Sequence, residues 1–541
     1  MARHLVTSAL PYINGTKHLG NLIGSLLPAD VYARWLRQQG HDVTFVCGTD
    51  DHGAPAELAA AAAGLDVRTF CDTWHATQAE HYRQLGLSFD RFGRTSNPEH
   101  HRYTQYVYQR LVDRGLVERR TVAQLYSPTD QRFLADRYVR GTCPHCGRAD
   151  ARGDQCEACG RLLDPTELLR PESALSGATD LELRESTHAF LRLSALQPAA
   201  EAFVADHAAD WTPVARQVAE SWLATGLHDR CITRDLAWGV PVPDLPGKVF
   251  WCWFDAPLAY VSLAPEPWDS GAKAAGVQTT QFLGKDNAPF HTVWLPAILE
   301  AIGVRQPSVI HALHWLNWYG ERFSTSAQRG IFLDEALALH PADVWRWALL
   351  AQCPETEDSR FTWEQLAATV NKDLAGQLGN FVHRVQKLAA RRGATIPGGG
   401  EPGTAEAALQ HHVLATVDHL ADAQDQRRLR AAVEHVRTLL RTANRYIDAE
   451  APWALVRTDP DRAEVVLRTC FQLIRLVAAA VTPLLPTTAG RLFDAVQATA
   501  AERAAPLARH AALSGLGGRP LVVQPPLFAR IEAAAGTQCA R

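Results

Sequence analysis

The sequence predicts a split α/β domain, interrupted by a cysteine-bearing insertion and followed by an all-α helical bundle. Three observations carry that prediction. Residues 1–112 alternate short apolar runs with stretches of helical periodicity. A C-x2-C-x9-C-x2-C cluster then breaks the pattern, and α/β character resumes near Val249. From Asp343 onward nearly everything has helical periodicity, apart from a Gly/Pro-rich break at 397–403.

Size and composition agree. A chain of 541 residues is too long for one core and suggests about three or four domains. Hydrophobic content of 47% and charged content of 21% fit a soluble globular protein. No apolar run approaches the roughly 20 residues that span a bilayer, and the first residues lead into a strand rather than a signal segment. Eleven cysteines, four clustered and the rest scattered, point to a reducing compartment, so a cytoplasmic location is expected. The net charge of −4 excludes a globally basic nucleic-acid binder, and any such surface must be local. Met1 is the sole methionine, so no internal side chain can be oxidised to a sulfoxide.

The first element is an apolar strand (Leu5, Val6, Ala9, Leu10), followed by Pro11-Tyr12 and Asn14-Gly15 turns. The tetrad His18-Leu19-Gly20-Asn21 comes next, and a helical stretch runs from Leu22 to Gln38. A strand, a tight turn and a helix N-terminus together offer free N–H groups to a phosphate. His18 adds a donor, and Gly20 lets the backbone come close. On spacing alone, an ordinary strand–turn–helix with a turn histidine remains an equal reading.

Thr44-Phe-Val-Cys47 reads as the second strand, leading to Asp50, Asp51 and His52, with an alanine run at 59–63 inside a helix. Cys143, Cys146, Cys156 and Cys159 sit in two knuckles backed by Gly147 and Gly160. Four soft ligands suit a closed tetrahedral Zn²⁺ site, with no open position for catalysis. His145 lies between ligands and is expected to be exposed, and 124–136 has no cysteine for a second knuckle, so one structural ion is expected. Val249-Phe-Trp-Cys-Trp-Phe254 reads as a strand, and so does the run into Gly284-Lys-Asp-Asn-Ala-Pro-Phe-His291.

Residues 9–21 resemble the HIGH-type signature of class I aminoacyl-tRNA synthetases, and Ala9-Leu-Pro-Tyr12 resembles the methionyl enzymes in particular. The likeness extends from about Ala9 to about Pro486. It implies a Rossmann-type catalytic domain in two halves, 1–112 and 236–333, around a zinc-bearing connective insertion, 113–235. A stem-contact segment, 334–365, and a helical anticodon-binding domain, 366–541, follow. The implied activity is ATP-dependent activation of L-methionine to methionyl-adenylate, with Mg²⁺ accompanying ATP, and transfer to tRNA(Met). The signature departs from the family at Asn21, which replaces a second histidine and is similar to a branch of the methionyl enzymes.

The same resemblance assigns roles. Asp50 takes the substrate ammonium, while Leu10, Tyr12, Trp253, Ala256, Pro257, Tyr260, Asn287 and His291 line the methionine slot. Without the resemblance, Trp253 and Tyr260 would read as core packing. Gly20, Gly284, Asp286 and Thr325 meet ATP, and His18, Asn21 and Lys285 serve catalysis. Arg322-Phe-Ser-Thr-Ser326 stands where the family carries KMSKS, and Thr325 replaces its second lysine. Arg322, Ser324, Thr325 and Arg329 are the implied catalytic members of that loop, Arg329 supplying the missing charge. A catalytically impaired tRNA-binding paralogue is the alternative that this loop leaves open. A synthetase for another apolar amino acid is disfavoured, because 113–235 has no room for a large editing domain.

In the helical part, Asn380 and Arg384 are four residues apart and share a helix face. They match the family pair that reads anticodon bases, and Trp453 matches the tryptophan on which a base stacks. Among Arg427, Arg428, Arg430, Arg437 and Arg441, most are expected to be ordinary surface charges. The chain ends soon after the bundle, and a monomer is expected.

Overall fold

Five parallel strands form the frame that positions everything else. In chain order they are β1 (Arg3–Ser8), β2 (Asp42–Thr49), β3 (Arg91–Arg94), β4 (Val277–Gly284) and β5 (Val309–Leu313), and they lie side by side in the order β5-β4-β1-β2-β3. All four pairings are parallel, with Leu5 opposite Thr44 on one side and Thr279 on the other. That is the doubly wound nucleotide-binding order, whose connections reverse between β1 and β4 and open a crevice at their carboxyl ends. The computed structural model describes residues 2–533, except 154–155, 157, 160, 162, 269–275, 305–306 and 326. Gly160 and Ser326 therefore lie outside the described residues.

The helix after β1 is not the uninterrupted helix that its periodicity suggests. Leu22–Leu26 is a π-helical turn, and the α-helix Leu27–Gln38 follows. The helix after β4 repeats the device, with a π turn at Phe290–Trp294 before Leu295–Ile302. Each π turn ends two residues before a proline, Pro28 or Pro296. A proline has no N–H for the carbonyl four residues back and its ring crowds that carbonyl, so a widened turn relieves both problems.

The segment at Trp253 corrects the sequence reading. Only Val249–Phe250 is a strand, and Cys252–Asp255 is already helical. A short apolar run cannot separate a buried strand from a buried helix by periodicity. Between the two halves of the sheet domain, the insertion builds an antiparallel sheet around the paired strands Val117–Ser127 and Glu182–Leu191. A smaller three-stranded sheet carries the cysteine knuckles.

The C-terminal region packs helices Asn380–Ala390, Thr404–Asp425, Leu429–Glu450 and Pro460–Val481 together. The last of these is buried almost all round from Ala463 onward, which makes it the central rod of the bundle. Two departures from an all-helical reading occur. Ser359–Phe361 pairs as a strand with Leu316–Trp318, and residues 512–532 have no helix, running along the bundle instead. No helix among the described residues is long and apolar enough to cross a membrane.

Candidate active site

At the carboxyl ends of β1 and β4 lies an open cavity of about 1460 Å³. Every residue that the sequence nominates for methionine, ATP or catalysis lines it, from Leu10 and Tyr12 through Trp253 and His291 to Ser324, Thr325 and Arg329. Chain segments more than three hundred residues apart thus converge on one space.

The turn after β1 holds His18 and Asn21 by a reciprocal cap. The Asn21 N–H donates to His18 Nδ1 at 3.2 Å, and the His18 N–H donates to Asn21 Oδ1 at 3.2 Å. Nδ1 is therefore an acceptor and the ring proton sits on Nε2. Burial, and then the neighbouring Lys17 charge, push the His18 pKa down to about 3, so the imidazole is neutral. Gly20 is needed for a local reason: a Cβ there would sit 3.1 Å from the His18 ring and 3.4 Å from Phe323 Cβ.

Asp50 follows β2 and is bridged to Tyr12, its N–H donating to Pro11 O at 2.9 Å. It is buried, and its carboxyl is pushed well above the usual range, by burial first and then by the Asp255 and Asp51 charges. Asp255 itself stays low despite burial, because the His52 and His100 imidazoles face it, His52 Nδ1 at 2.5 Å. Asp50 is thus a carboxylate short of positive charge, which suits it to receive an ammonium. Beside it, Trp253 stacks on Phe290 with ring centroids 3.9 Å apart, and Tyr12 meets Trp253 edge-on at 6.3 Å. Tyr260 and His291 close the slot with centroids 5.4 Å apart, and burial pushes the His291 pKa down to about 3. The walls are therefore neutral and aromatic, as a thioether favours.

The nucleotide side is more polar. Gly284 ends β4, and a Cβ there would fall 2.6 Å from Asp286 Oδ1, so this glycine makes room for Asp286. Lys285 Nζ pairs with Asp358 at 2.7 Å and lies 3.9 Å from the Trp315 ring centre, where Arg322 also stacks at 3.6 Å. The loop after Arg322 is a tight hairpin, with Ser324 and Arg329 exchanging both backbone hydrogen bonds. Arg329 donates to Glu321 at 2.6 Å and to Arg322 O at 2.7 Å. Phe323 packs on the His18 ring at 5.1 Å and joins the loop to the first turn.

The four cysteines form one cluster, their sulfurs all within 4.8 Å of one another. Cys143–Cys159 and Cys146–Cys156 are separated by 4.0 and 3.7 Å. A tetrahedron with ~2.3 Å metal–sulfur bonds has edges of about 3.8 Å, whereas a disulfide needs about 2.05 Å. The donor set therefore fits a tetrahedral metal. His145 is exposed, as expected. Sequence reasoning missed that this insertion roofs the cavity: Arg137, Arg148, Asp150 and Arg152 line it. These charges are scattered along irregular knuckles and carry no motif.

In the bundle, the Arg384 guanidinium lies 5.0 Å from the Trp453 ring centre and is held by Asp448 at 2.7 Å. Asn380 is exposed one turn away, and Trp453 is 44% exposed, unusual for a tryptophan. Arg428 and Arg441 are paired with acids on the surface, as expected of ordinary charges, whereas Arg437 is half-buried and holds the buried Asp373 at 2.7 Å.

Similarity to known proteins follows the same division. A family model described as class I tRNA synthetases (M) matches residues 4–386, and one described as the anticodon-binding domain of methionyl tRNA ligase matches 396–540. Methionine--tRNA ligase 1 of Acaryochloris marina is 50% identical over 98% of this chain and 97% of that protein. The Methionine--tRNA ligase of Streptomyces avermitilis is 46% identical over the same shares. The structure of Mycobacterium tuberculosis methionyl-tRNA synthetase in complex with methionyl-adenylate superposes with a TM-score of 0.82, at 27% identity over 98% of this chain and 100% of that one. On the matching family model and on this full-length identity, the chain belongs to the methionyl class I aminoacyl-tRNA synthetases.

Proposed function

We propose that the protein activates L-methionine with ATP and transfers the methionyl group to tRNA(Met). The observation that carries this reading is the meeting, in one cavity, of a charge-deficient buried carboxylate, a neutral aromatic slot and a phosphate-facing helix N-terminus. The methionine ammonium pairs with Asp50 and its thioether lies among Tyr12, Trp253, Tyr260 and His291. Its carboxylate attacks the α-phosphorus of ATP, a new O–P bond forms, and pyrophosphate leaves with the electron pair of the broken bond. His18 Nε2–H, Lys285, Arg322 and Arg329 supply fixed donors and charge to that displacement. Mg²⁺ bound with the triphosphate would neutralise part of its charge. Asp286 and Gly284 face the ribose, and Asn21 holds His18 in place.

A hydroxyl at the tRNA terminus then takes the acyl group from the adenylate. Asn380, Arg384 and Trp453 receive the anticodon, where a half-exposed tryptophan offers a stacking face and Arg384 a planar donor. Cys143, Cys146, Cys156 and Cys159 hold one structural Zn²⁺.

Methionine-dependent exchange of labelled pyrophosphate into ATP tests the reading. Exchange with methionine far above that with leucine, isoleucine or valine is expected. Equal exchange with leucine overturns the specificity, and none with any amino acid leaves a tRNA-binding protein without activation chemistry.

A further inference from the structure

Lys17 is buried, 3% exposed, immediately before His18. Among the described residues no carboxylate lies within ion-pair distance of it. Its Nζ donates to Asn14 Oδ1 at 2.7 Å. A buried ammonium without an acid is costly, and such a group is stabilised only when an anion arrives. Burial alone pushes its pKa down to about 7. Two cations of the cavity, Lys285 and Arg329, differ in already having Asp358 and Glu321 as partners.

Geometry says where that anion belongs. Asn14 lines the cavity, and Lys17 stands one hydrogen bond behind it. An ammonium can only donate, so the Asn14 oxygen must face Lys17 and its NH₂ must point away from it. Among the described residues no acceptor holds that NH₂. Gly15, next to Asn14, is the place where the 322–329 loop approaches: a Cβ on it would be 3.9 Å from Thr325 Cγ2. The uncharged Thr325 and the buried charge of Lys17 thus flank the same turn. Lys17 is also fixed from behind, its carbonyl accepting from Leu333 N–H at 2.8 Å.

We propose that Asn14 and Lys17 form one anion-receiving unit for the phosphates of ATP, the Asn14 NH₂ donating to a phosphate oxygen and Lys17, as a positioning residue, polarising that amide and supplying the charge. The inference rests on the activation reaction proposed above. As the bond between the α-phosphorus and the bridging oxygen breaks, negative charge moves onto pyrophosphate, so the unit acts more strongly in the transition state than on bound ATP.

The test compares the full-length wild type with Lys17→Met and Asn14→Asp in pyrophosphate exchange. Lys17→Met keeps the length and loses the charge. Asn14→Asp pairs with Lys17 directly and leaves no donor for phosphate. Both should slow exchange by about 10²–10³-fold, the range for one transition-state donor, with little change in the KM for methionine. Inhibition by inorganic pyrophosphate should weaken in both, while inhibition by adenosine stays as in wild type. The unfolding midpoint should not fall, because Lys17→Met removes an uncompensated buried charge. Wild-type exchange in either variant overturns the proposal, as does parallel loss of pyrophosphate and adenosine inhibition with a lowered midpoint, the mark of a merely structural lysine. If Lys17→Met does not fold, Asn14→Asp decides alone. Absence of exchange in the wild type would instead sink the activation reaction itself.

Discussion

Arg346 and Asp30 form an ion pair 2.7 Å long in which neither side chain reaches solvent. The guanidinium also donates to the carbonyls of Leu85, Pro483 and Leu484, so one side chain ties the sheet domain to the helical bundle. Arg346→Leu should destabilise the protein by about 3–5 kcal/mol, because it leaves the buried Asp30 with Arg34 as its one cation among the described residues and takes the donors from three carbonyls. Urea unfolding followed by circular dichroism measures this, and a loss below about 1 kcal/mol would equate the pair with a surface bridge. Despite its burial, Asp30 is held below its ordinary pKa by Arg346 and Arg34. Its share of stability is therefore present above that ordinary value and is lost as pH falls through the lower, folded one.

The Asp50 carboxyl is shifted the other way, above its ordinary value of 3.8. Between that value and its raised one, the unliganded protein holds a proton on Asp50, and an ammonium requires that proton to leave. Methionine binding should therefore release protons in mildly acidic buffer, and the KM for methionine should fall as pH rises through the raised pKa. Calorimetry in two buffers of different ionisation enthalpy counts those protons. Asp50→Asn should abolish the release and weaken methionine by about 2–5 kcal/mol, the cost of losing one partner of a buried charge pair. Proton release persisting in Asp50→Asn would assign the titration elsewhere.

Trp453→Ala should raise the KM for tRNA by the equivalent of about 1–3 kcal/mol, the worth of one stacked base. Pyrophosphate exchange does not involve the bundle and should stay near wild type. If both half-reactions decline together, the ring supports packing, with Arg384 lying over it for stability alone.

Elemental analysis should find one zinc per chain, and Cys146→Ser should lose it. Because Arg148, Asp150 and Arg152 between the knuckles line the cavity, metal loss should also impair adenylate formation. Two ions per chain would contradict the single-site reading.

Arg329→Ala should lower kcat for activation by about 2–4 kcal/mol in barrier terms, with little effect on the KM for methionine. Glu321→Ala frees the same guanidinium from its exposed pair and should leave the rate equal or higher. A silent Arg329→Ala would show that the loop contributes no charge.

Local chemistry made much of this legible. The spacing of the four cysteines declares itself within a few residues, whereas the turn at 11–21 and the Asn380–Arg384 pair gain their meaning only from the resemblance to the methionyl enzymes. What stayed hidden depends on distant partners. A lysine in a turn reads as exposed, yet Lys17 is buried, with its carbonyl held by the N–H of Leu333 from a distant part of the chain. Trp253 read as a strand residue, because its apolar neighbours are buried on every side and periodicity then carries no signal. No motif marks Phe290 or Phe323, and only their stacking on Trp253 and His18 ties them to the walls of the cavity.

The reciprocal cap between His18 and Asn21 leaves the imidazole with no basic nitrogen toward the substrates, since Nδ1 is occupied and Nε2 already carries hydrogen. Such a ring can polarise a phosphoryl oxygen but cannot shuttle hydrogen. A carboxylate nucleophile and a pyrophosphate leaving group ask for no shuttle either. Adenylate formation here should therefore run at nearly the same speed in heavy water as in ordinary water.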